Sequence, residues 1–111
     1  MVEESGKTGE LFAMQQHITM DSRGVASRNQ VSSALGKEVV ILNLQEGAYH
    51  GLQGIGGRIW ELVQQPRTVR EIRDVLLAEY DVPQAECEHD LLELLRDMAA
   101  NKLVEIHAAA A

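Results

Sequence analysis

The chain has 111 residues, 45% of them hydrophobic, enough for one globular core and too many for a disordered polypeptide. A formal net charge of −7, with its basic residues scattered, argues against nucleic acid as partner, because that affinity rests on clustered cations releasing counterions. The single cysteine, Cys87, excludes an internal disulfide and any multi-cysteine metal site.

Residues 1–16 show no hydrophobic period. Their polar character, with Glu3, Glu4 and Glu10, fits neither a signal peptide nor a transit peptide, so a cytoplasmic location is expected. No apolar run approaches membrane-spanning length, and no membrane partner is expected. Residues 17–20 are a candidate short strand and residues 21–29 read as loop. The expected organisation is a flexible tail over 1–29, a folded unit over 30–106 and a short C-terminal tail over 107–111.

From residue 30 the local signals sharpen. Residues 31–35 form a weak strand, and Gly36-Lys37 turns the chain. Val39-Val40-Ile41-Leu42-Asn43-Leu44 is the strongest strand, a β-branched apolar run of strand length. Glu46-Gly47 supplies a tight turn, with Gly47 free to take positive φ. Ala48-Tyr49-His50-Gly51-Leu52 then pairs back, as the last strand and a candidate edge.

Three helices follow. Ile55, Ile59, Leu62 and Val63 share one helical face with Trp60 beside them, and Pro66 closes this first helix. Thr68 and Glu71 form a capping box that opens the second, whose stripe is Val69, Ile72, Leu76 and Tyr80. The third runs over residues 84–101 with Cys87, Leu91, Leu94, Leu95 and Met98 on one face, widened by Leu92 and Ala99. Residues 103–106 return as extended chain. The order predicts an α+β fold of the winged helix-turn-helix kind, a three-stranded antiparallel sheet followed by three helices.

Catalytic and cofactor chemistry finds little support. Gly54-Ile55-Gly56-Gly57 lacks the Lys-Ser/Thr of a phosphate loop and is read as a strand-to-helix corner. Cys87 and His89, two apart on a helix, point in different directions and cannot act as nucleophile and base. The four histidines have no ligand spacing among themselves, so neither a metal nor a cofactor is expected. Asp90, beside the apolar stripe, reads as a solvated flank or a ligand contact. Arg67, Arg70 and Arg73 form a solvated face or a docking patch for an acidic partner. A DNA-reading role suits the chain poorly: the third helix carries Glu86, Glu88, Asp90, Glu93 and Asp97 against Arg96 alone.

The run of residues 39–106 resembles the PqqD-like family, also called the RiPP recognition element. The resemblance is carried by the Val39–Leu44 run, Gly47-Ala48-Tyr49-His50-Gly51-Leu52, Gly56-Gly57-Arg58-Ile59-Trp60-Glu61-Leu62, Tyr80-Asp81-Val82, Cys87 with Asp90, Leu94-Leu95 and Leu103-Val104. It implies a non-catalytic domain of pathways such as those to pyrroloquinoline quinone and lasso peptides. Such a domain binds the leader of a ribosomally made precursor peptide and presents it to a maturation enzyme. The leader is expected to add a strand at Ala48, Tyr49, His50, Gly51 and Leu52, in a groove shared with Glu88, Leu91, Leu92 and Leu95 of the third helix. Exposed strand edges are templates for such pairing. The expected assembly is a monomer or weak homodimer. Two rival readings are a winged-helix DNA-binding regulator and an adaptor that self-associates through its sheet edge.

Overall fold

The structure, a computed structural model, describes residues 18–108. Its elements are β1 (Arg23–Ala26), β2 (Gln30–Leu35), β3 (Glu38–Asn43), β4 (Ala48–Gln53), α1 (Ile55–Leu62), β5 (Arg67–Thr68), α2 (Val69–Glu79), α3 (Gln84–Ala100) and β6 (Val104–His107). The fold is α+β and winged-helix-like, with the expected antiparallel meander β2-β3-β4 leading into three helices. None of the described helices is long and apolar enough to cross a membrane.

The meander has two unlike faces. Val39, Ile41 and Asn43 of β3 lie on the inner face, opposite Leu52, His50 and Ala48 of β4. This face packs on helices. Ile41 is fully buried, Trp60 Nε1 of α1 donates to Ser32 Oγ of β2 (3.1 Å), and Asn43 Nδ2 donates to the Asn101 carbonyl beyond α3 (2.8 Å). Asn43 also accepts from the N–H groups of Gln45 and Glu46, so one buried amide holds both the hairpin turn and the helix end. Trp60, only 3% exposed, anchors α1 in the core with Ile59, Leu62 and Val63.

Local signals explain the helix ends. Thr68 accepts from the Glu71 N–H while the Glu71 carboxylate accepts from the Thr68 N–H, the capping box expected for α2. At the end of α3, Leu103 donates to the Met98 carbonyl and Lys102 to that of Ala99, with Lys102 in the left-handed region at φ 62°. This is a Schellman closure, and it aims the chain into β6.

The expected boundaries need correction at both ends. Residues 18–29 are not a tail. Ile18 is buried, and β1 is the central strand of a second sheet ordered β5-β1-β6. Met20 and Ser22 accept from the N–H groups of Arg70 and Val69, and Ala26 donates to Val63, so this segment ties α1, α2 and β6 together. Arg23-Gly24-Val25-Ala26 is too short and mixed to read as a strand, and its partners lie far along the chain. Residues 18–20 form no strand, and residues 1–17 lie outside the described part. At the other end β6 extends through His107.

Candidate functional site

β4 is an edge of the meander, and its hydrogen-bonding phase decides what that edge offers. Leu44 donates its N–H to the Asn29 carbonyl (2.9 Å). Counting back in twos, Leu42, Val40 and Glu38 direct their peptide groups at β2. Asn43, Ile41 and Val39 therefore direct theirs at β4, opposite Ala48, His50 and Leu52. Tyr49, Gly51 and Gln53 are left with N–H and C=O groups turned off the sheet.

At the end of β4 the chain turns through Gly54, held at φ 58°, a conformation that favours glycine. It then enters α1, whose second residue, Gly56, packs on the strand: a Cβ there would lie 3.5 Å from Leu52 Cδ2 and 3.9 Å from Leu94 Cδ2. Beside this contact opens a cavity of about 290 Å³, lined largely by apolar side chains of α1, α2, the α2–α3 turn and α3. Ile55, Gly56 and Ile59 form one wall, and Cys87, Leu91 and Leu94 the opposite one. Burial pushes the Cys87 thiol pKa up, which keeps it a neutral, small wall residue. Edge and cavity are adjacent. Gly56 joins the two, lining the cavity and packing on Leu52 of β4.

The residues expected on the edge are all present in β4, but in two roles. Tyr49 and Gly51 offer backbone; Ala48, His50 and Leu52 offer side chains on the inner face. On α3 the correspondence is weaker. Leu91 lines the cavity, whereas Leu95 is buried in the core, and helical periodicity turns Leu92 away from the lining residues Glu86, Asp90 and Leu94. Glu88 faces α2, where Arg73 donates to it. That contact, followed by Gln84, holds the Glu88 carboxyl below the usual glutamate range. Leu94 and Gly56, absent from the expected set, both line the cavity. Asp90, read as a solvated flank or a ligand contact, is exposed and lines the cavity.

The arginine trio is engaged inside the chain. Arg67 donates to the Leu62 carbonyl, Arg70 pairs with Asp21, and Arg73 with Glu88 and Asp74. These contacts weaken the case for a docking patch. A different surface stands out instead. Val31, Leu35, Leu44 and Tyr49 are 52%, 59%, 55% and 72% exposed, and all belong to the outer face of the meander, with Val40 and Leu42 between them. The run 39–44 carried this signal, with Val39 and Ile41 on one side and Val40, Leu42 and Leu44 on the other, since a strand apolar on both sides is one that expects cover on both.

The profile described as Coenzyme PQQ synthesis protein D (PqqD) matches residues 38–104, more than half of the chain. The chain belongs to the PqqD family. Two solved structures share this family fold over 73% of the chain. TbiB1 in complex with the TbiA(beta) leader peptide is 41% identical, with a TM-score of 0.69 and 94% of that chain covered. Lasso peptide synthetase B1 complexed with the leader peptide is 17% identical, with a TM-score of 0.66 and 95% covered, and shows the fold alone. No curated protein matches significantly. The matched span begins at β3 and ends at β6, so it contains β4, the cavity and all of α3.

Proposed function

We propose that this domain binds the leader segment of a ribosomally synthesised precursor peptide as an added strand on β4, and presents it to a maturation enzyme without catalysing a step itself. The observation that carries the reading is the juxtaposition at one end of β4: unpaired outward peptide groups at Tyr49, Gly51 and Gln53, continuous with an apolar cavity between α1 and α3. Backbone pairing supplies affinity and the cavity supplies side-chain selectivity. The 41% identity to TbiB1, solved with a leader peptide, supports the same class of ligand here.

The other edge, β2, is a poorer candidate because the cavity does not adjoin it. Presentation needs a second surface, and we assign it to the exposed outer face of the meander. Exposed apolar patches of this kind mark protein contacts, and here the patch lies on the side of the sheet away from the helices that line the cavity. Holding the precursor there raises its concentration at the enzyme. DNA binding is disfavoured by the exposed acids of α3, Glu86, Asp90, Glu93 and Asp97.

The test is an anisotropy titration with labelled TbiA(beta) leader peptide. Saturable binding that Tyr49→Pro abolishes, with the fold intact, supports the reading; binding unaffected by Tyr49→Pro removes β4 as the site. Val31→Glu with Leu44→Glu should leave leader affinity unchanged and lower binding to the pathway's maturation enzyme. Equal loss of both would merge the two surfaces.

A further inference from the structure

We propose that the segment bound along β4 carries a Lys or Arg next to the side chain that fills the cavity, and that this cation sits between Glu86 and Asp90. The proposal rests on the leader-binding reading and adds the chemistry of what is bound. The cavity walls are apolar, and the charged residues that line it are Glu86 and Asp90. They stand one helical turn apart on α3, a spacing at which like charges disfavour the helix. Four other acids of the helical layer are compensated: Glu61 and Glu79 share Arg58, and Asp74 and Glu88 share Arg73. Among the described residues, neither Glu86 nor Asp90 has a cation within ion-pair distance.

An uncompensated pair of carboxylates therefore borders the apolar opening that a strand on β4 must reach, past Leu52 and Gly56. An acidic segment would be repelled there, and a wholly apolar one would crowd two solvated charges without replacing their water. A Lys or Arg neutralises the pair while its methylene stem lies on the apolar wall near Leu94. Complementarity at such a rim acts mainly on association rate and salt dependence.

The experiment is a positional scan of the TbiA(beta) leader, each residue replaced in turn by Lys and by Glu, titrated against the full chain and against the Glu86→Gln/Asp90→Asn variant. At one or two neighbouring positions the Lys peptide should bind about fivefold tighter than the Glu peptide at low salt, as expected for exposed ion pairs. The gap should close in the double variant and near ~1 M salt. A scan without such a position, or a gap that persists in the double variant, overturns the cation proposal while leaving leader binding in place. A gap equally lost in Glu93→Gln/Asp97→Asn overturns it too, because the helix's overall charge would then suffice. If no member of the scan binds, the leader reading fails and the proposal falls with it.

Discussion

The two sheets of this small domain are built on opposite plans. The β5-β1-β6 sheet is stitched from three segments distant in the chain, and its central strand is hydrogen-bonded on both sides. The β2-β3-β4 meander is local, two hairpins in sequence, with one face on the helices and the other exposed. The first arrangement closes the fold and leaves little to offer. The second keeps an edge and a face open, at the expense of exposed apolar surface. In a chain this short, stability and recognition are divided between the sheets.

Breaking the stitched sheet should have the largest effect. Deleting residues 1–29 removes Ile18 and all of β1, and the remainder should lose its cooperative thermal transition; a fragment melting like the whole chain would show the second sheet to be dispensable. Next comes the layer that both sheets share. Trp60→Ala should cost about 3–5 kcal/mol in denaturant unfolding, given the buried ring and its bond to Ser32. A variant as stable as the parent would place the ring outside the core.

The meander should respond in phase with its hydrogen bonds. His50→Pro removes an N–H directed at β3, leaves a β3 carbonyl without its donor and should destabilise by about 1–3 kcal/mol. Tyr49→Pro should leave the melting temperature nearly unchanged and abolish leader binding, because proline is tolerated on an edge whose N–H faces out. The reverse pattern would invert the assigned phase. Smaller still, Gly56→Ala should gain up to about 1 kcal/mol in helix propensity, since its Cβ meets only ordinary contacts, while weakening the leader by narrowing the cavity. The smallest effect concerns pH. Glu88 has its folded pKa lowered, so its pairing with Arg73 favours the fold at neutral pH and is lost as pH falls through that lowered value. A carboxyl NMR titration should find the Glu88 midpoint below that of a free glutamate, and Arg73→Gln should raise it.

Much of the architecture was legible because its signals are local. The three meander strands, the Thr68–Glu71 box and the extents of α1, α2 and α3 follow from turn residues, caps and periodicity. β1 was not, since four mixed residues become a strand only through partners in β5 and β6. The edge at Ala48–Leu52 was legible from strand order, but its phase depends on the Asn29–Leu44 bond, which no residue pattern announces. On α3 the core stripe and the cavity stripe overlap on one broad apolar face. Leu91 belongs to both, and the approach of Gly56 shows which side of that face, the side of Leu94, borders the cavity.

An amide NMR titration of the chain with TbiA(beta) leader peptide decides whether β4 is the edge that receives it. The largest shifts are expected at Tyr49, Gly51 and Gln53, smaller ones at Asp90, Leu91 and Leu94, and little change along β2. Shifts concentrated on β2, or on Arg67, Arg70 and Arg73, would contradict binding at β4.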